Sequence, residues 1–108
     1  MKYKEDSQER QFEVWLFAMW LDTASRMAGY GEITITSALR IGDLKYHGKG
    51  QALDIRTHDK PPEFYDFMEE CGKVIRKRTK RFQMDLHPAL RGTPNAHIHI
   101  EIDDDSLS

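Results

Sequence analysis

The amino-acid sequence predicts one α+β domain, in which two helices pack on one face of a small antiparallel sheet. Two stretches carry apolar residues at helical spacing, and about four short segments alternate apolar with polar residues, as half-buried strands do. The length of 108 residues fits a single domain, and neither a repeat nor a linker divides it. We expect the domain to span residues 1–108, with frayed ends at 1–10 and 103–108.

The first helix is predicted over residues 12–27, because apolar side chains recur there every three or four positions. Asp6 or Ser7 is a candidate N-cap, and Gly29-Tyr30-Gly31 ends the helix. Both tryptophans, Trp15 and Trp20, belong to the apolar positions. We expect them to pack on the sheet rather than to form a platform for a ligand.

Alternation predicts strands over residues 32–37, 51–56, 82–87 and 96–102, and the loop between the first two carries three glycines. Residues 57–62 should open a second helix, with Asp59 as its N-cap and proline in its first turn. Cys71 lies on the apolar stripe of this helix and is expected to be a buried thiol rather than a nucleophile. Because Cys71 is the single cysteine, an intrachain disulfide is excluded.

Composition and charge narrow the classes of function. A net charge of −2 with 31% charged residues is typical of a soluble folded domain. The longest apolar run, residues 14–21, is too short to cross a bilayer, and the acidic N-terminus does not resemble a signal peptide. The basic run at 76–81 is expected to be a solvated helix end, since no aromatic residue interleaves it as in single-stranded nucleic-acid binders. We therefore expect a monomer without a nucleic-acid partner and without membrane insertion.

Histidines and an aspartate share the polar side of two predicted strands. His97 and His99 alternate with isoleucines on the last strand, and Asp54 alternates with leucine and isoleucine on the second. If these strands are neighbours, Asp54 and His99 converge with His47 from the glycine-bearing loop. Two imidazoles and one carboxylate leave the fourth position of a tetrahedral zinc open for water, which is the pattern of catalytic zinc.

The motifs carry a family resemblance. His47-x-x-Gly50-x-Ala52-x-Asp54, followed by His97-x-His99, resembles the zinc D-Ala-D-Ala carboxypeptidases and L-alanyl-D-glutamate endopeptidases. It also looks like the related zinc-bearing signalling domain of Hedgehog proteins. The segment Thr36-Ser37-Ala38-Leu39-Arg40 is similar to the Ser-Gly-Tyr-Arg that precedes the zinc motif in that family, so the resemblance extends over residues 32–102.

The resemblance implies one Zn²⁺ per chain, held by His47, Asp54 and His99. His97 would stand beside the metal, where it would stabilise an oxyanion or shuttle a proton. Two residues of the arginine motif, Arg40 and Ser37, would bind the substrate. Arg40 would take a carboxylate or carbonyl, for which the forked guanidinium is suited.

The general base departs from the family pattern. The family places an acidic residue shortly before the last zinc histidine, often three positions earlier, where this chain has Ala96; residues 92–96 contain no acid. Two side chains on the preceding strand, Asp85 and His87, are the candidates for the catalytic base. We favour Asp85, because its carboxylate matches the group that the family uses.

These residues predict a zinc metallopeptidase that cleaves peptidoglycan stem peptides, as a carboxypeptidase or as an endopeptidase, by attack of a zinc-activated water. The small size and the acidic N-terminus fit a phage-type lysis enzyme that is made in the cytoplasm and acts at the bacterial cell wall. The alternative is a non-catalytic zinc-binding module, which the missing acid before His97 favours.

Overall fold

A computed structural model of the protein describes residues 2–3, 12–38 and 52–102. The elements in chain order are strand β1 (Lys2–Tyr3), helix α1 (Phe12–Met27), strands β2 (Thr34–Ala38) and β3 (Ala52–Arg56), helix α2 (Glu63–Arg78), strand β4 (Phe82–Asp85), a short 3-10 helix (Pro88–Leu90) and strand β5 (His97–Ile102). The predicted N-caps Asp6 and Ser7 lie outside the described residues.

The sheet has the strand order β1-β2-β3-β5-β4. Strands β2, β3, β5 and β4 pair antiparallel, so the prediction of an α+β fold with two helices and four antiparallel strands is confirmed. The two-residue strand β1 adds a parallel pair at the β2 edge, which the sequence did not predict. Neither helix in the described ranges is long and apolar enough to cross a bilayer.

The core lies between the two helices and one face of the sheet. At its centre Leu53 pairs with Ile100 and Ile55 pairs with Ile98, and all four side chains are fully or almost fully buried. Each contributes about 1.5–3 kcal/mol through removal of its apolar surface from water. This burial fixes which face of β3 and β5 points inward, and the alternate residues of both strands therefore face away from the helices.

Helix α1 has more apolar surface than the sheet can cover. Trp15 is buried as predicted, but Trp20 is 44% exposed, so the prediction that both tryptophans belong to the core is wrong for Trp20. Leu16 and Met19 are also exposed. Only one stripe of a helix can face a sheet, and α1 turns the stripe that contains Trp15 inward. Of these exposed residues, Leu16 and Trp20 line an apolar groove of about 270 Å³ between α1 and α2.

Helix α2 begins without the predicted cap. Its N-cap position is Pro62, and the Phe64 N–H donates to the Pro61 carbonyl at 3.0 Å, so backbone bonding forms the first turn. Asp59 lies before the two prolines and instead pairs with Arg56, at 3.4 Å between Oδ2 and Nη2. Cys71 is buried as predicted, and burial, reinforced by the carboxylate of Glu70, raises the pKa of its thiol.

A buried carboxylate ties the end of α1 to the start of β2. Asp22 Oδ1 accepts the Ile33 N–H at 2.9 Å, and Oδ2 accepts Arg26 Nε at 3.0 Å. Burial opposes ionisation of this group, but these two donors outweigh burial, with the result that the pKa of Asp22 lies below its usual value.

Candidate functional site

The polar face of the sheet brings the candidate residues together. In the strand register His99 lies opposite Asp54 on one side and opposite Asp85 on the other, because β5 runs between β3 and β4. His97 lies opposite Arg56. The neighbouring positions on the opposite face are buried core residues, so this arrangement follows from strand alternation once the strand order is known.

Asp54 and His99 are in direct contact. His99 Nδ1 and Asp54 Oδ1 are 2.9 Å apart, and because a carboxylate only accepts, the ring nitrogen is the donor. The His99 side chain is 13% exposed and that of Asp54 is 27% exposed. The pair is therefore partly enclosed but still reachable from one side of the sheet.

The donor set of this pair fits zinc. Imidazole nitrogen and carboxylate oxygen are common zinc ligands, and two such atoms on one tetrahedral ion lie about 3.4 Å from each other. The present separation of 2.9 Å between Nδ1 and Oδ1 is a hydrogen bond, which would open by about half an ångström around a metal ion. A small rotation of either side chain would provide this change.

The third predicted ligand, His47, and the predicted substrate-binding residue, Arg40, lie outside the described residues. Residues 39–51, which carry both, connect Ala38 at the end of β2 to Ala52 at the start of β3. Within the ranges that the structure does describe, no three His, Cys, Asp or Glu side chains are grouped so that they could hold a metal ion. Asp54 and His99 thus provide two predicted ligands of one site, and the chain between β2 and β3 carries the third.

Ser37 is placed by its backbone. It pairs with Asp54 in the register of β2 and β3, after a shift between Ile35 and Ser37 that inserts one extra residue. Bulges of this kind change the direction in which the following side chains point. The structure describes the backbone of Ser37 but not its side chain. It therefore establishes only that Ser37 lies beside Asp54 in the strand register.

His87 reaches the site through a turn rather than along a strand. Strand β4 ends at Asp85, two residues earlier than predicted, and His87 has a left-handed backbone with φ 44°. Asp85 Oδ1 accepts the His87 N–H at 2.9 Å, which stabilises this turn. The second carboxylate oxygen of Asp85, Oδ2, lies 3.6 Å from His87 Nε2.

The three histidines form a cluster. The ring centroids of His87 and His97 are 4.5 Å apart, and those of His87 and His99 are 6.5 Å apart. His97 Nδ1 lies 2.8 Å from the carbonyl oxygen of Asn95 and must therefore donate to it. A neutral His97 consequently carries its proton on Nδ1 and has Nε2 as an acceptor.

One residue of this face, Glu101, was not among the predicted site residues. Its Oε1 is 3.4 Å from His99 Nε2, on the side of the ring away from Asp54. Arg56, opposite His97, was not singled out either. Strand alternation could have identified both residues. Each is two positions from a candidate residue on the same strand and therefore lies on the same face.

No protein-family model matches the chain, and neither a curated protein nor a solved structure shows significant similarity to it. The resemblance carried by His47, Asp54, His97 and His99 therefore stays a prediction.

Proposed function

We propose that the protein is a zinc-dependent peptidase that cleaves peptidoglycan stem peptides. The observation that supports this most strongly is the contact between His99 and Asp54 on the polar face of the sheet, with His97 and His87 beside it. One predicted pair of metal ligands is thus adjacent to two further imidazoles.

Asp54 and His99, together with His47, would hold one Zn²⁺. The metal would polarise the scissile carbonyl and lower the pKa of a bound water to about 7. The remaining steps depend on protein groups that accept, hold or return a proton, and on groups that orient the peptide.

His87 is better placed than Asp85 to act as the base. Asp85 Oδ1 is already bonded to the His87 N–H, and the Asp85 side chain is 61% exposed. The imidazole of His87 lies close to the other two rings. In this proposal Asp85 fixes the turn and orients His87, and His87 removes the proton from the attacking water. This assignment differs from the one made from the sequence alone, which favoured Asp85 as the catalytic base.

His97 suits proton transfer. Its Nδ1–H is taken by the Asn95 carbonyl, so a neutral ring has no second N–H to donate to an oxyanion. Nε2 is the atom able to accept a proton and to return it to the leaving amine. Of the two roles that the resemblance implies for His97, the hydrogen bond to Asn95 therefore favours the proton shuttle.

Substrate recognition is assigned to Ser37 and Arg40. Ser37 pairs with Asp54 across the two strands, so a substrate held near it lies beside the metal ligands. The Arg40 guanidinium would pair with a carboxylate of the stem peptide through two parallel hydrogen bonds. We place the activity at the bacterial cell wall, in a phage-type lysis enzyme made in the cytoplasm.

Hydrolysis of purified peptidoglycan tests this proposal. The zinc-loaded protein should release D-alanine if it is a carboxypeptidase, or shorter peptides with a new amino terminus if it is an endopeptidase; mass spectrometry separates the two. Chelation or His99→Ala should abolish release, whereas His58→Ala, which changes an exposed histidine in the β3–α2 turn, should not. Absence of both products at full zinc occupancy would refute a peptidase function.

A non-catalytic zinc module is the second candidate. It is favoured by the engagement of Asp85 with its own turn and by the lack of an acid at residues 92–96. Replacement of both Asp85 and His87 separates the two functions. If zinc binding and the biological effect persist in this double variant, the protein acts by binding.

A further inference from the structure

We infer that Glu101 is a positioning residue for His99: its carboxylate holds the Nε2–H of the ring so that Nδ1 is the nitrogen presented to the metal. This inference rests on the proposed zinc centre and adds a role that the motif does not assign. The supporting contact is the 3.4 Å separation of Glu101 Oε1 from His99 Nε2.

The His99 ring lies between two carboxylates, one facing each nitrogen. Nδ1 is 2.9 Å from Asp54, and Nε2 is 3.4 Å from Glu101. A metal bound by both Asp54 and His99 takes Nδ1, because this is the nitrogen beside the Asp54 carboxylate. The proton of the neutral ring is then on Nε2, the nitrogen that lies 3.4 Å from Glu101 Oε1. Histidines that bind metals commonly donate their second N–H to such a carboxylate, which fixes the tautomer.

The contact between Glu101 and His99 is partly shielded from water, which strengthens the electrostatic interaction between them. The side chains of His99 and Glu101 are 13% and 20% exposed, compared with 61% for Asp85 on the same face. In the register Glu101 lies between Ala52 on β3 and Gln83 on β4, so flanking strands limit its movement. Charge–dipole interactions are less screened in such a place than at an exposed position. Glu101 is therefore held where it can accept the Nε2–H of a His99 ring whose Nδ1 is bound to the metal.

Zinc affinity, measured by competition with a chromophoric chelator, gives the first readout. Glu101→Ala should weaken zinc binding about 10–100-fold, the effect typical of losing an outer carboxylate partner. Glu101→Gln keeps an oxygen acceptor for Nε2–H and should lose clearly less. Glu69→Ala, an exposed glutamate of α2, is the matched control and should bind zinc as the wild type does.

The tautomer itself gives the second readout, which a merely structural role would not change. In ¹⁵N-labelled, zinc-loaded wild type, the imidazole shifts of His99 should show a metal-bound Nδ1 and a protonated Nε2. Glu101→Ala should give a mixture of tautomers or exchange broadening, with the fold checked by circular dichroism. Affinity and ¹⁵N shifts equal to those of the wild type would overturn the inference.

The failures of the two proposals differ. If the wild type binds zinc with the expected His99 tautomer but releases no peptide, the peptidase function fails and the role of Glu101 stands. If hydrolysis proceeds and Glu101→Ala changes neither affinity nor tautomer, the role of Glu101 fails and the peptidase function stands. A wild-type protein that binds no zinc overturns both.

Discussion

His99 and Asp54 face each other across the β3–β5 pair and are joined by a 2.9 Å hydrogen bond between Nδ1 and Oδ1. The two residues are 45 positions apart in the sequence. Their contact depends on the pairing of β5 with β3, and it brings the carboxylate and the imidazole of the two proposed metal ligands side by side.

Asp54→Asn should separate the proposed metal-binding role of this pair from its role in the fold. The asparagine oxygen can still accept from His99 Nδ1, so we expect the free energy of unfolding of the metal-free protein to fall by at most about 1.5 kcal/mol. Zinc affinity should fall by more than about 100-fold, beyond the loss that an outer partner causes. Urea unfolding and zinc competition measure the two effects. Unchanged zinc affinity would exclude Asp54 as a ligand.

His87→Ala should lower kcat for peptide release by about 10²–10⁴-fold, the usual contribution of a general base. Zinc affinity should change little, because His87 is not among the proposed ligands. Asp85→Asn keeps an oxygen for the His87 N–H and should therefore cost much less activity. The opposite ranking of the two variants would assign the base to Asp85.

Asp22→Asn should destabilise the protein in a pH-dependent manner. Because the pKa of Asp22 is lowered in the folded state, its ionised form stabilises the fold above the unfolded pKa, and this contribution is lost as the pH falls through the folded pKa. We expect a loss of about 1.5–3 kcal/mol near neutral pH, the range for hydrogen bonds to charged groups. Denaturant unfolding at pH 7 and at pH 3 should show the difference between variant and wild type shrinking in acid. An equal difference at both values would show that the charge of Asp22 is not responsible.

The two tryptophans should respond differently to truncation. Trp15→Ala removes a buried ring and should cost about 3–5 kcal/mol. Trp20 is 44% exposed, and Trp20→Ala should cost about 1 kcal/mol, near the average for point mutations. Thermal or urea unfolding of both variants measures this. Equal losses would mean that Trp20 contributes to the core as the sequence predicted.

Local patterns in the sequence predicted much of the polar face. Alternation places His97 and His99 on one face of their strand and the isoleucines on the other face. In the same way it places Asp54 on one face of its strand and Leu53 and Ile55 on the other. Burial of the apolar positions then determines which way the polar ones point. For this reason the shared orientation of Asp54 and His99 could be predicted without knowledge of the contact between them.

Other features depend on interactions that no local pattern encodes. Trp20 fits the helical period, but the sheet accommodates only the stripe of α1 that contains Trp15. Strand β4 stops at Asp85 because a side chain–backbone bond replaces strand pairing at His87. Asp59 has the chemistry of a cap, yet Lys60 and two prolines separate it from the start of α2. In each case the local sequence permits more than one conformation or burial, and a tertiary or side-chain interaction determines which one forms.

Zinc-edge anomalous diffraction from crystals grown with one equivalent of zinc tests the proposed metal centre most directly. We expect one peak per chain, about 2.0–2.2 Å from Asp54 Oδ1 and His99 Nδ1, with His47 as the third protein ligand and His87 within reach of the open position. A zinc ion bound elsewhere, or crystals that take up no zinc at this site, would contradict the proposed centre.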